Sequence, residues 1–379
     1  MAASNVVSIK KHFARLKDPR VRGRTQHLLI DIIFIAICGV IANCNDWHDI
    51  VLFAQKREPW FKRFLRLRNG VPSHDTFERV FTLLDGQAFQ RCCLLWLREV
   101  AELLGVKHIA IDGKTLCGSA RGTLKPLHLV SAWATQAGLT LGQVAVTGKS
   151  NEITAIPVLL QLLDLKGALV TIDAMGCQKE IAARIVAGGG DYLLTVKGNQ
   201  EHLLEDVQTT VAKALDGKLP AGTVEEYTTH TVDHGRREER SYVVIHYVED
   251  IRDRDKWAQL KTVGMCCYER TENGQSTTEA RYFISSRKIK GRQCDQVMRG
   301  HWAIENNLHW HLDVSFSEDA SRIQERQRAT AFAMLRKVAL CLLTQHPAED
   351  SIARKRMAAA LDPAFLAEIL AGAKNLDEV

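Results

Sequence analysis

A mixed α/β fold, a sheet of parallel and antiparallel strands covered by helices, is predicted by three features of the sequence. Residues 28–104 carry helical periodicity throughout. From residue 106 the texture changes to three short apolar runs, followed by alternating helical and apolar segments. Residues 222–286 then switch to period-two alternation, and helical periodicity returns from Cys294. Meandering strands followed by alternating units are the signature of a mixed sheet with helices on its faces.

Bulk properties are those of a soluble globular chain: 379 residues, 46% hydrophobic and 25% charged. That length predicts two or three domains with a sizeable core. Residues 1–70 hold 13 Lys and Arg against 5 Asp and Glu, an excess larger than the +6 of the whole chain. Such a basic end suits a polyanion, or is simply a solvated face. Ten cysteines include no Cys-x-x-Cys pair, and the vicinal Cys92-Cys93 and Cys266-Cys267 read as reduced core residues of a cytosolic protein. No signal peptide is expected from Met1–Val7, which lacks a cationic segment before an apolar core. The apolar run Leu28–Ile41 contains Asp31 and is shorter than the ~20 residues a membrane span needs, so it reads as a buried helix.

In order, residues 1–27 are basic and rich in turn formers. Ser73, after Pro72, caps a helix starting near residue 74. Arg57, Lys62, Arg63, Arg66 and Arg68 are interleaved with Trp60, Phe61 and Phe64, a mix that packs rings inward and turns cations outward. Strands are expected at Lys107–Ile111, Leu127–Thr135 and Leu139–Thr147, the last two joined by a Gln136-Ala-Gly138 turn. A helix follows over Glu152–Leu165, capped by Ser150 or Asn151. Next come a strand over Ala168–Ile172, a helix over Lys179–Ala187 closed by Gly188-Gly-Gly190, a strand over Asp191–Val196 and a helix over Glu201–Leu215. Strands Val224–Val232, Arg240–Val248, Thr262–Arg270 and Thr277–Ser285 form an insertion, with Asn273-Gly274 as a hairpin turn. This insertion is expected to be a platform outside the main sheet. Helices to about Leu343 and an Ala-rich helical tail past Pro347 end the chain.

Three carboxylates stand out. Asp112 in Ile109-Ala-Ile-Asp-Gly-Lys-Thr115 and Asp173 in Leu169-Val-Thr-Ile-Asp-Ala174 each end an apolar strand, and Glu305 in His301-Trp-Ala-Ile-Glu-Asn306 lies on a helix. If the first and fourth strands lie parallel and adjacent, the two aspartates meet at a topological switch point. Two strand-end acids and a helix acid are what a two-metal phosphoryl-transfer site needs. Magnesium wants such oxygen ligands. His301, Glu305 and His309 share a helix face, but no His-Glu-x-x-His is present and the aspartates suit magnesium better than zinc. The two histidines are expected to line the groove or meet phosphate. Lys114 and Lys197, at strand ends on the same rim, can each hold a phosphate. Asp313, Glu318 and Asp319 read as a helix-end cluster paired with Arg322 or Arg326, and Trp302 and Trp310 as packing residues. Arg236, Arg237 and Arg240 beside a hairpin turn either grip DNA flanks or a second protomer, or form a solvated tip.

Several runs together resemble the H-repeat-associated group of bacterial insertion-sequence transposases. They are Ala110-Ile-Asp-Gly-Lys-Thr-Leu116, Lys149-Ser-Asn-Glu-Ile-Thr-Ala-Ile-Pro157, Asp173-Ala-Met-Gly-Cys-Gln178, Tyr192-Leu-Leu-Thr-Val-Lys-Gly-Asn-Gln200 and His301-Trp-Ala-Ile-Glu-Asn-Asn-Leu-His-Trp310, with Leu312-Asp-Val314 and Glu318-Asp319 behind. The resemblance covers essentially the whole chain. It implies an RNase H-like catalytic core, an insertion before the helix bearing the Glu, and Asp112, Asp173 and Glu305 as a catalytic, metal-binding triad. It divides the chain into an N-terminal helical, basic DNA-associated domain (1–104), a first core part (105–221), the β-rich insertion (222–286), a second core part (287–345) and a helical tail (346–379). Wider relatives carry Tyr, Arg and Lys around the Glu where this chain has Met298, His301 and Leu312, so Arg299 or His301 would have to substitute in DNA contact. The implied activity is DNA cleavage at insertion-sequence ends and strand transfer, with two Mg2+ ions or Mn2+ in their place. Implied partners are terminal inverted repeats, target DNA and a second copy in a synaptic homodimer, in a cytoplasmic, nucleoid-associated protein. The rival readings are a silent DNA-binding regulator and a nuclease that cuts without joining.

Overall fold

The computed structural model describes residues 9–21, 23–100, 107–120, 123, 125–146, 152–233, 236–272 and 275–371. The proposed caps Ser150 and Asn151, the Asn273-Gly274 turn, His234-Gly235 and residues 372–379 lie outside that set.

The N-terminal half of the sequence pattern yields helices α1 (Leu29–Ile41), α2 (Trp47–Lys56), the single turn α3 (Glu58–Phe61), α4 (His74–Leu83) and α5 (Gly86–Val100). In α1 every residue but Ile30 is buried, so the long apolar run is a core helix. No helix among the described residues is long and apolar enough to cross a membrane. Asp46 caps α2 and Ser73 caps α4, each accepting a backbone N–H three residues on, as the Pro-Ser-His sequence predicts. Phe61 is buried, Trp60 and Phe64 are half-buried, and Lys62, Arg63, Arg66 and Arg68 are exposed as expected, whereas Arg57 is half-buried and donates to the carbonyls of Ala360 and Leu361.

Strands β1 (His108–Leu116), β2 (Leu127–Ala134), β3 (Leu139–Val146), β4 (Leu169–Ile172) and β5 (Asp191–Val196) alternate late with helices α6 (Glu152–Leu160), α7 (Lys179–Ala187) and α8 (Glu201–Leu215). Then β6 (Val224–Asp233), β7 (Arg236–Ile245), β8 (Thr262–Glu272) and β9 (Gln275–Ser285) follow. The sheet order is β3-β2-β1-β4-β5-β9-β8-β7-β6. Its first five strands, antiparallel from β3 to β1 and parallel from β1 to β5, form the RNase H-like core.

Four expectations are corrected here. The insertion is not a separate platform: β9 pairs antiparallel with β5 from Leu193↔Ser285 to Val196↔Tyr282, so one nine-stranded sheet runs through both parts. An exposed β5 edge would have left a row of unpaired backbone groups, and the insertion covers it. Strand β1 does not end at Asp112. It runs on to Leu116 because β2 keeps pairing with it after β4 has stopped. The second insertion strand also begins at Arg236 rather than Arg240, and helix α6 ends at Leu160 rather than Leu165.

One face of the core carries α9 (Gly291–Ile304), a π-helical turn (Glu305–His309) and α10 (Trp310–Val314), which together make one continuous helical rod, then α11 (Arg326–Gln345). The opposite face carries α6. Helix α11 has 14 buried residues and ties the N-terminal helices to the sheet: Phe332 meets Trp47 edge-on at 4.8 Å, and Trp47 stacks on Phe81. Helices α12 (Ile352–Leu361) and α13 (Pro363–Ala371) close the described chain.

Arg356 on α12 is 1% exposed and donates to the carbonyls of Val40, Cys44 and Ser315, to Asn45 Oδ1, and lies over the Phe316 ring. It joins the end of α1 to the end of the α9–α10 rod. Replacing it with Met keeps the volume and strands those carbonyls. Charged hydrogen bonds contribute ~1.5–3 kcal/mol each and are not additive, so Arg356→Met is expected to cost at least ~3 kcal/mol. Urea unfolding checks this through its midpoint.

Candidate active site

Asp112 and Asp173 come together through strand register. Ile111 pairs with Ile172 in the parallel β1–β4 ladder, and the next residue on each strand is the aspartate. Adjacent strands lie ~4.8 Å apart and matched positions share a face, so the two carboxyls project side by side. Asp173 sits in extended backbone just past β4, where its Oδ1 accepts the N–H groups of Met175 and Gly176. The parallel partner stops there, which opens the sheet above the pair.

The third acid comes from the helical rod. Glu305 is the first residue of the π-helical turn, and its charge reaches Asp112. π-turns inside α-helices occur frequently at functional sites. Burial, opposed by a Gly113 backbone hydrogen bond and reinforced by Asp173, Glu305 and Glu152, pushes the Asp112 carboxyl up to about 7. Low dielectric and crowded like charges both disfavour ionisation.

The rod runs along β1 in a common rhythm. His309 Nδ1 lies 3.5 Å from Asp112 Oδ2, and four residues on, Asp313 accepts from Lys114 Nζ at 2.6 and 2.7 Å. Four helical residues advance ~6 Å and two strand residues ~6.6 Å, so the contacts stay in step. Lys114 also meets Asp319 at 3.5 Å and is only 10% exposed along its side chain. It is therefore held in carboxylates rather than free to hold a phosphate. The acidic cluster is correspondingly paired with Lys114, and not with Arg322 or Arg326. Glu318, 1% exposed, faces Arg336 at 3.7 Å.

Of the two roles expected for His301, lining the groove or meeting phosphate, its hydrogen bonding fits the first. A chain of hydrogen bonds runs Thr135 Oγ1, His108, Thr171 Oγ1, His301 Nδ1, at 3.0, 2.9 and 3.0 Å. Burial and nearby Arg281 push His301 down to about 4, so it is neutral at pH 7 and supplies no cation. Trp302 does pack, beneath Arg281 at 4.1 Å and against Tyr268. Trp310 does not: it is 52% exposed, on the outer side of the rod. Among the hairpin arginines, Arg236 pairs with Glu238, and Arg240, buried, pairs with the same glutamate under Tyr268. Arg237 is exposed, as are Arg299 and Lys197.

Sequence reasoning missed the support beneath the site. On the opposite face of β1, Thr115 Oγ1 meets His128 Nδ1 at 2.9 Å and His128 Nε2 meets Glu152 Oε1 at 2.6 Å, all but shut off from solvent. Glu152 belongs to the Lys149–Pro157 run whose role the sequence left open. The available signal was the glycine after Asp112.

The donor set suits a hard divalent cation: three carboxylate side chains offer oxygen ligands, and like charge crowds Asp112. Among the described residues no group of three or more His, Cys, Asp or Glu side chains is placed to hold a metal ion.

Comparison with known proteins adds an independent finding. The family described as "Transposase DDE domain" matches residues 104–342, and "DDE_Tnp_1-associated" matches residues 10–97. The chain is 38% identical over 384 residues to "Putative transposase YncI" of Escherichia coli O157:H7, covering 98% of this chain and 96% of that protein. It is 35% identical over 377 residues to "H repeat-associated putative transposase YhhI" of Escherichia coli strain K12, covering 96% and 98%. A cryo-EM piggyBac transposase synaptic complex with hairpin DNA matches with a TM-score of 0.39 at 10% identity, over 99% of this chain and 80% of that one. A likeness that loose adds nothing to the fold read from the strand order.

Proposed function

The chain belongs to the transposase DDE domain family, in its H repeat-associated group, and we propose that it cuts DNA at insertion-sequence ends and transfers the freed strands to target DNA. Asp112, Asp173 and Glu305 are the acids we assign to the reaction. The observation that carries this is the register that sets Asp112 beside Asp173, with Glu305 near enough on the π-turn to repel it. Two Mg2+ ions, replaceable by Mn2+, would supply activation of the attacking oxygen and stabilisation of the leaving one.

The same acids serve both steps. Hydrolysis at the element's end frees a 3′ hydroxyl, and that hydroxyl attacks a target phosphodiester, with no covalent protein–DNA bond. Asp112 must give up its proton before it can ligate, so metal binding competes with that proton and weakens as pH falls. Lys114 and Asp313 lock the rod to β1 and so fix Glu305 against the aspartates. Arg299, Arg237 and Lys197 remain exposed for phosphate contact.

A labelled terminal inverted repeat, a target plasmid and Mg2+ test the reading. Strand-transfer product supports it. Cleavage without joining makes the protein a nuclease, and binding without cleavage a regulator.

The exposed Lys62, Arg63, Arg66 and Arg68 are assigned to the DNA backbone. Each phosphate contact contributes ~0.9 to the slope of log affinity against log salt. Changing all four to Gln is expected to flatten the slope by ~3.6 in filter binding. An unchanged slope in the folded variant assigns this face to another task, such as pairing two copies in the synaptic homodimer.

A further inference from the structure

His309 is one residue the chemistry above leaves without a task. Its side chain is 14% exposed, with Nδ1 turned to Asp112 Oδ2 and Nε2 buried without a hydrogen-bond partner. An imidazole in such a place is normally satisfied at both nitrogens.

Lys337 lies in the same neighbourhood. It is 3% exposed and donates to Ser131 Oγ and Gln143 Oε1, both at 2.7 Å. Ser131 is the direct cross-strand partner of Asp112, and Gln143 is the partner of Ser131. Asp173, Asp112, Ser131 and Gln143 thus form one polar row across four strands, with Lys337 over one end and His309 over the middle.

We propose that His309 is the positioning residue of Asp112: its Nδ1–H holds one carboxylate oxygen, leaving the other to face a divalent cation. The surroundings select that tautomer. A neutral imidazole has one N–H and one lone pair, and which nitrogen carries the proton is set by its partners. Nδ1 faces an acid, so it donates. Nε2 then keeps its lone pair. Hydrogen bonds of this kind lengthen in unliganded sites and tighten in use, which accommodates 3.5 Å. Groups that orient metal-holding carboxylates typically change metal affinity by ~10–100-fold when removed.

This inference rests on Asp112 being a metal-holding residue, so the test separates the two. The full-length protein and its variants are titrated with MnCl2 at pH 8 without DNA, by calorimetry, with thermal melts to confirm folding. Asn places its amide N–H where imidazole Nδ1 sits, and Gln places it where Nε2 sits. His309→Asn is expected to bind Mn2+ within about threefold of the parent, and His309→Leu and His309→Gln ~10–100-fold more weakly. Equal affinity in all three variants, or His309→Asn as weak as His309→Leu, overturns the positioning role. Should His309→Leu not fold, the Asn and Gln variants alone decide. Asp112→Asn is the control: if it leaves Mn2+ affinity unchanged, the metal assignment of Asp112 falls, whatever the His309 series shows.

Discussion

Asp112→Asn is expected to abolish DNA cleavage and at the same time to stabilise the metal-free protein, on the order of a few kcal/mol above pH 7. Both effects have one origin. The folded protein raises this carboxyl from 3.8 to about 7, by burial and by the negative charges of Asp173, Glu305 and Glu152. An acid raised on folding binds its proton more tightly in the native state than in the unfolded chain. Its contribution is therefore favourable while it is protonated, and is lost as pH rises from about 4 through about 7. The parent protein should accordingly lose stability across that window, and the Asn variant should lose less. Urea unfolding at pH 5 and pH 8 measures the difference, and gel-shift binding should be unchanged. A variant that loses DNA binding along with cleavage, or gains no stability at pH 8, argues against a crowded carboxylate site.

Gly113→Ala is expected to be the most damaging single-methyl change in the core sheet. A Cβ at position 113 would lie 2.4 Å from His128 Nε2 and 2.5 Å from Glu152 Oε1. Neither partner can retreat, since each is buried and hydrogen-bonded to the other. The glycine is present for space. A methyl group must either part the His128–Glu152 pair, leaving buried polar groups unsatisfied at ~1–3 kcal/mol each, or push β1 outward and move Asp112. We expect a loss of ~2–4 kcal/mol and cleavage reduced at least ~100-fold, since ångström-scale misplacement costs about that much. Thermal melting and a cleavage assay on the residual folded protein read the two effects.

How much of this was legible from sequence depends on the range of the interaction. Lys179–Ala187, Asp191–Val196 and Glu201–Leu215 have the boundaries the sequence predicts, because glycines and apolar periodicity mark both ends locally. The adjacency of Asp112 and Asp173 was also readable, since alternating units make the first and fourth strands parallel neighbours. The β5–β9 pairing was not. It joins residues some ninety positions apart, and strand alternation does not name a partner. The Lys114–Asp313 pair, 199 residues apart, was equally hidden, so Lys114 read as a free cation. Burial hid the state of His301: its spacing from Glu305 puts it on the site face, but only packing against His108 and Thr171 shows it neutral. The π-turn, which has no distinctive local sequence, carries Glu305 and the His309 that meets Asp112 on β1.

The central claim is that Asp112, Asp173 and Glu305 hold the metal. A crystal of the full-length protein soaked in Mn2+ and measured at an anomalous wavelength tests it directly. The expected density is one or two peaks within ligand distance of all three carboxylates, absent in Asp173→Asn. Peaks confined to the neighbouring Asp313, Glu318 and Asp319 cluster, or peaks at the site that persist in Asp173→Asn, would contradict it.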